Sequence, residues 1–308
     1  MQNLFINYLE QLQIGRKQTY KNLVLYPLLS EYAAALDYFT LDEAMAQDAI
    51  DVVEIDIDGS VPELKVINKS DRMILILEGE ELVGARQNRI VNTTILIAPN
   101  ATTVIPVSCV EEGRWTYTSK KFGSENRLML SGMRSFLSNS VSMSISQDRG
   151  FESDQHAIWG QIRQKASRLN VTSDSKAMAE IYKKKSSDVG RYLEKFKTVD
   201  NQIGAVFLIN GKVVGMDCFG KAETFSKTFK KLTESYALDA IDMEETDKKY
   251  KVSRNDAKNL LKTAASGRLV SHASVGLGTD CRLESRRLTG CALTHKEQIL
   301  HMSLFSRD

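Results

Sequence analysis

The hydrophobic pattern changes character near residue 118. Before it, apolar residues gather in short runs rich in Val and Ile, at 52–56, 64–67, 73–77, 90–97 and 103–107. Runs of this length and composition, bounded by turn residues, read as β-strands. Asp58 with Gly59, the polar stretch 68–71, and Pro99 with Asn100 supply the turns between them. Several short strands at such close spacing predict a β-sandwich or a jelly-roll-like barrel. All four prolines (Pro27, Pro62, Pro99, Pro106) fall in this front half.

Beyond residue 118 the period becomes helical. Residues 119–152 have little periodicity and much Ser, Gly and charge, so a long, partly mobile connection is expected there. Ser153 and Asp154 can cap a helix that carries Ile158, Ile162, Ala166 and Leu169 on one face. Further helices are expected over 175–185 and 188–196. Phe225, Phe229, Leu232 and Tyr236 form another helical stripe, and Ser253 with Asp256 makes a capping box ahead of Leu260, Leu261 and Ala264. Residues 204–219 read as a hairpin turning on Asn210 and Gly211. Residues 290–305 have the same length, with Gly, Met and Phe at matching places. Either two amphipathic hairpins look alike by chance, or a repeat places both in one sheet. The pattern predicts an α+β protein. A β-rich half spans residues 1–118, a connecting segment spans 119–152, and an α/β half of helices and paired hairpins spans 153–308, the whole forming one integrated unit.

Chemistry concentrates between the strands of the front half. Residues 73–77 are apolar at every position, as a strand covered on both faces would be. Directly after them come Glu78, Gly79, Glu80 and Glu81, then Gly84, Arg86, Gln87, Asn88, Arg89 and Asn92. Burying such groups unpaired costs several kcal/mol each, so they must pair with one another or face a pocket. A second polar group follows the apolar run 103–107: Ser108, Cys109, Glu111, Glu112, Arg114 and Trp115. If neighbouring strand ends lie together, the two groups share one site.

In that reading Glu78, Glu80 and Glu111 serve as general acid/base or metal-ligating carboxylates. Arg86 or Arg89 clamps a phosphate or carboxylate, Gln87, Asn88, Asn92, Cys109 and Arg114 line the substrate site, and Trp115 stacks on a ring. The competing reading is a buried Arg–Glu network that braces a strand end. Cys109 has Arg114 nearby but no histidine in the front half, since the four are His156, His272, His295 and His301. A buried, inert thiol therefore outweighs a nucleophile. Gly276 and Gly278 sit in a polar loop, but Cys281 occupies the third glycine's place in a dinucleotide fingerprint. Asp217 and His301 stand at the ends of the two hairpins, where a lone His is more often a satisfied core residue.

Charge narrows the partners. Lys and Arg number 41 against 39 Asp and Glu, a net charge of +2, which gives no footprint for nucleic acid. No uninterrupted apolar run approaches the ~20 residues of a membrane span. The N-terminus has no signal-peptide pattern, so the cytoplasm is expected. Cys109, Cys218, Cys281 and Cys291 are widely spread, without a Cys-x-x-Cys, and free thiols are expected.

Residues 77–92 and 105–115, taken together, resemble the signature of the ARG- and rhodanese-phosphatase-superfamily-associated protein domain family, where ARG denotes ADP-ribosylglycohydrolase. Residues 22–27, 38–44, 155–159, 215–219 and 235–240 are similar to its pattern as well, so the resemblance covers most of the chain. It implies a predicted enzymatic domain placed by gene association near ADP-ribose processing, with no assigned reaction. The motif positions are Glu78, Glu80, Glu81, Gln87, Asn88, Arg89, Asn92, Cys109, Glu111, Arg114 and Trp115. Two functions follow: a hydrolase or transferase acting on a nucleotide-like or ADP-ribose-like small molecule that carries phosphate, or a non-catalytic ligand-binding or scaffold module partnering an ADP-ribose-processing enzyme. Dependence on a divalent metal and oligomeric state are left open by the residues.

Overall fold

Leu23–Leu29 is apolar or aromatic at every position, so as a strand it must be covered on both faces. In the computed structural model, which describes residues 1–55, 62–245 and 248–307, it lies inside a nine-stranded antiparallel sheet. The chain runs α1 (Gln2–Glu10), β1 (Gln13–Ile14), β2 (Gln18–Tyr20), β3 (Leu23–Leu29), β4 (Tyr38–Thr40), α2 (Leu41–Ala46), β5 (Ile50–Val53) and β6 (Glu63–Asn68). It continues with β7 (Met73–Ile76), β8 (Glu80–Gly84), β9 (Arg89–Val91), β10 (Ile95–Ile97), β11 (Thr102–Cys109), β12 (Phe122–Leu128) and α3 (Ser131–Ser146). Then come α4 (Gln155–Arg168), α5 (Met178–Lys184), α6 (Ser186–Leu193), β13 (Gln202–Ile209), β14 (Lys212–Phe219) and α7 (Ala222–Asp242). The last elements are α8 (Arg254–Ala265), β15 (Arg268–Ala273), β16 (Thr279–Glu284), β17 (Leu288–His295) and β18 (Gln298–Ser306). Among the described residues this is an α+β fold.

The large sheet has the order β1-β3-β13-β14-β18-β17-β16-β15, with β2 beside β3. The two hairpins of similar length sit side by side in it, joined where β14 pairs with β18. Asn210 and Gly211 turn the first with positive φ, and Lys296 and Glu297 turn the second the same way without a glycine. Val24, Tyr26 and Leu28 pack with α1 and α8 on one face. Leu23 and Leu25 pack with α7 on the other. Thus β1, β2 and β3, from the front of the chain, complete the sheet of the back half.

The remaining strands form a six-stranded sheet, β12-β8-β9-β11-β6-β5, and a three-stranded sheet, β10-β7-β4. Their apolar faces share one core, including Ile74, Ile76, Ile95, Leu64, Val66 and Ile105, so the two sheets make a small sandwich. The run 90–97, expected as one strand, is two: β9 belongs to one sheet and β10 to the other. Between them Asn92, Thr93 and Thr94 are buried and bond to Ser108, Asp280 and His301, which draws them out of a ladder. Residues 119–152, expected as a connection, contain β12 and α3. Of the run expected at 52–56, β5 takes Val52 and Val53; Asp56 and the expected Asp58–Gly59 turn lie outside the described residues.

The expected caps form. Asp154 accepts from the Ala157 amide at 3.0 Å and opens α4, and Ser253 with Asp256 closes the capping box of α8. All four cysteines are free and buried. Among the described residues no helix is long and apolar enough to cross a membrane.

Candidate functional site

The polar run after β7 is itself a hairpin. β8 and β9 pair antiparallel, with Glu81 opposite Ile90 and Leu82 opposite Arg89. β11 then pairs with β9 and sets Cys109 opposite Arg89, on the same face of the sheet. Ala85, at the turn, has a positive φ of 42°. Arg114 holds this turn closed: its Nη1 donates to the Ala85 carbonyl at 2.8 Å, and its Nη2 to Asn88 Oδ1 at 3.2 Å and Glu111 Oε2 at 2.6 Å. The same Glu111 oxygen accepts from the Asn88 amide at 3.1 Å. Glu111 and Arg114 are thus spent on each other and on the backbone.

Arg89 is different. It is 0% exposed. Its Nη1 donates to the Gln87 carbonyl at 3.2 Å and to Gln87 Oε1 at 3.1 Å, while its Nε and Nη2 have no hydrogen-bond partner among the described residues. No carboxylate stands within the 4.0 Å of an ion pair among the described residues. Burial pulls its pKa down, and the charges of Cys109 and Glu54 oppose that. Glu54 is buried too, with no hydrogen-bond partner for either oxygen among the described residues. Sequence reading passed over Glu54; its place two residues after Val52, on the same buried face of an alternating strand, was the available signal.

Cys109 donates to Gln87 Oε1 at 3.1 Å. Gln155, the first residue of α4, grips its backbone from both sides, accepting from the amide at 2.7 Å and donating to the carbonyl at 2.8 Å. Burial raises the thiol pKa more than Arg89 lowers it, so Cys109 remains protonated at neutral pH. At the surface, the Arg86 guanidinium lies 4.5 Å from the Tyr117 ring and 5.5 Å from Trp115. Trp115, 42% exposed, is also 5.9 Å from Arg89, so an aromatic and cationic face leads from solvent to the buried guanidinium.

Glu81, a motif position outside the three carboxylates expected to act as acid or base, borders this group. It is fully buried, and burial raises its pKa to about 7 against the partial relief of Arg127 and Asn88. Arg127 is 3.9 Å away. Among the described residues neither Glu81 oxygen makes a hydrogen bond of ordinary geometry.

The structure does not bring all the expected residues to one place. Gln87, Asn88, Arg89, Cys109, Glu111 and Arg114 meet as expected, with Arg86 and Trp115 beside them. Glu80 takes partners elsewhere: the amide of Leu77 donates to it at 2.7 Å, and Lys231 of α7 pairs with both Glu80 and Asp42. Asn92 accepts from Ser108 Oγ at 2.6 Å and donates to the Phe151 carbonyl at 2.9 Å, tying β11 to the segment before α4.

Glu78 belongs to a third, fully buried group. Its Oε2 accepts from the Cys291 thiol at 2.9 Å and from Ser303 at 3.4 Å. Nearby, Arg134 of α3 meets Asp217 of β14 through two bonds, at 2.5 and 3.1 Å, and Tyr236 donates to the same carboxylate at 2.9 Å. His301 stands 3.5 Å from Asp217 and 2.9 Å from Thr94 Oγ1. Burial would raise Asp217, but the charge and the two bonds of Arg134, with His301 close by, hold it well below the usual carboxylate range. Gly79, with φ +82°, lets this packing form, because a Cβ there would meet Arg134 Cγ at 3.0 Å. Among the described residues, no group of three His, Cys, Asp or Glu side chains is arranged to hold a metal ion.

A small β-sandwich carrying an incompletely paired arginine, joined to a helix-covered antiparallel sheet, defines the class. The sequence matches the ARG and Rhodanese-Phosphatase-superfamily-associated Protein domain over residues 11–305, and the chain belongs to that family. No curated protein and no solved structure matches it.

Proposed function

We propose that this chain is a ligand-binding module that partners an ADP-ribose-processing enzyme, and that its site takes an anionic small molecule bearing a ring. The observation that carries this reading is Arg89, wholly buried yet with two donor nitrogens lacking acceptors among the described residues. A buried guanidinium left this way costs several kcal/mol, and a phosphate or carboxylate seated on Nε and Nη2 would offset it bidentately. Trp115 and Tyr117, gathered around Arg86, suit stacking on the ligand's ring. Entry then requires Trp115 to turn aside from Arg89. The family's name, which couples it to ADP-ribosylglycohydrolase and rhodanese-phosphatase proteins, supports a partner role.

Glu81 favours a second reading. A carboxyl titrating near 7 that borders the arginine's group through Asn88, from the opposite face of β8 and β9, has the poise of a general acid/base, and a hydrolase would use it in place of Glu78 or Glu80. Calorimetry against ADP-ribose and simple nucleotides, with and without a divalent metal, tests the binding. Product analysis after prolonged incubation separates the two readings. A module binds without turnover; loss of substrate that disappears in Glu81→Gln would establish the hydrolase. No heat with any of these compounds would reject both.

A further inference from the structure

On the face of the large sheet away from the sandwich, α1 and α8 leave a groove of about 490 Å³ between them. Its floor is apolar, made by Leu9, Leu12 and Ile14 from one side and Leu261 and Ala265 from the other. Arg254, Lys258 and Lys262 form its rim, at i, i+4 and i+8 along α8, and all three are exposed. Residues at that spacing lie in one row, so the three cations face each other as neighbours, which opposes helix formation. Local pairing does not relieve them. Arg254 donates to the Ile14 carbonyl, and none of the three lies within 4.0 Å of a carboxylate among the described residues. Glu10, an acid that also lines the groove, makes no ion pair among them either. An apolar trough edged by an unrelieved basic row is complementary to an amphipathic segment with acids beside its apolar stripe.

We infer that this groove docks an acidic amphipathic helix of a partner protein. The row sets the partner's pattern. Four residues of helix advance about 6 Å, so acids at i, i+4 and i+8 on the partner match Arg254, Lys258 and Lys262 one to one. Leucine-sized residues in the adjoining row then fill the floor. The groove lies on other elements than Arg89 and its neighbours, so the inference stands apart from the ligand reading.

The test uses the full chain and a fluorescein-labelled synthetic helix with Glu at i, i+4 and i+8 and Leu in the next row. Fluorescence anisotropy should show binding that weakens as salt rises. The double variant Lys258→Glu/Lys262→Glu should lose at least tenfold in affinity, and should in turn bind a peptide with Lys in place of the three Glu. Both lysines are exposed, so an unchanged thermal melt is expected and checks the fold of the variant. No binding of the acidic peptide, equal binding by the charge-reversed variant, or capture only by phosphatidylserine vesicles would overturn the proposal.

Discussion

Arg89 and Arg134 are both 0% exposed, yet they stand in opposite electrostatic conditions. Arg134 has a carboxylate in bidentate contact, and Asp217 has Tyr236 and His301 on its remaining sides. Burial pulls the Arg134 pKa down, but Asp217 beside it more than reverses that, so the cation is held more firmly than in water. Among the described residues Arg89 hydrogen-bonds to the oxygens of one glutamine and pairs with no carboxylate, and burial prevails. Arg134, from α3, joins β14, α7 and β18 in one ion-pair group, as a brace does. Arg89 reaches no other element that strongly and keeps donors unused. Burial alone therefore does not separate a structural charge from a binding one, and neither does one unmatched donor, since Arg134 Nε also lacks an acceptor among the described residues; what separates them is whether a carboxylate of the chain pairs with the guanidinium.

The largest effect should come from the brace. Arg134→Met or Asp217→Ala leaves the other partner buried and unpaired, and either should cost about 3–5 kcal/mol in urea unfolding. Arg89→Met removes a poorly paired cation and keeps most of the side-chain volume, so stability should stay within about 1 kcal/mol of the parent. Equal losses for the two methionine variants would make Arg89 a brace as well.

A pH effect of similar size attaches to Glu81. Its pKa is raised on folding from 4.5 to about 7, so between those values the native state holds a proton that the unfolded state has released. Stability is full below about pH 4.5, falls as pH rises, and by pH 8 has lost about 3 kcal/mol at ~1.4 kcal/mol per pKa unit. Glu81→Gln should flatten the parent's decline between pH 4.5 and 7 and be the more stable protein at pH 8. Chemical denaturation at several pH values reads this directly. Parallel curves for parent and variant would show that Glu81 is satisfied in solution.

Why Arg89 was legible in sequence and Arg134 was not follows from particular residues. The capped helices, the Asn210–Gly211 hairpin and the Val- and Ile-rich strands were legible, because each rests on local chemistry. β8 was not. Its Glu80 and Glu81 resemble a charged loop, since an ordinary strand places charge toward water, whereas this one buries both of its faces. Once it is read as a strand, period 2 sends its two glutamates to opposite sides, Glu80 toward Lys231 and Glu81 toward Arg127. Arg134 was hidden as well. Seven serines in α3 masked the apolar row Met133, Leu137 and Val141, and the partner Asp217 lies 83 residues away, which no local pattern can connect. Six of the expected site residues came together because β9 and β11 are neighbours. Glu78 and Glu80 left them because Gly79 reverses the chain between the two.

If Arg89 is the binding arginine, Arg89→Met, which keeps most of the side-chain volume, should weaken an anionic ligand by about 1.5–3 kcal/mol, the scale of hydrogen bonds to a charged group, while the melting temperature barely moves. Arg134→Lys, tested under conditions where it remains folded, should leave affinity near the parent's. The reverse ranking would exchange the roles of the two arginines.

The smallest effect is expected at Trp115. Its ring is 42% exposed, 5.5 Å from the Arg86 guanidinium and 5.9 Å from that of Arg89, so it contributes little to the core. Trp115→Ala should therefore leave unfolding unchanged within about 0.5 kcal/mol, as most surface substitutions do. It gives up ring stacking and opens the path to Arg89, two changes of opposite sign for a ligand. Lost stacking should cost about 1 kcal/mol for a ligand with a ring, and nothing for inorganic phosphate. Faster entry should raise the association rate for both. Stopped-flow fluorescence, using a Trp159→Phe background so that Trp115 alone reports, measures the parent's entry rate, and calorimetry compares the two affinities. Equal losses for nucleotide and phosphate would mean that Trp115 supports the arginines and takes no part in recognising a ring.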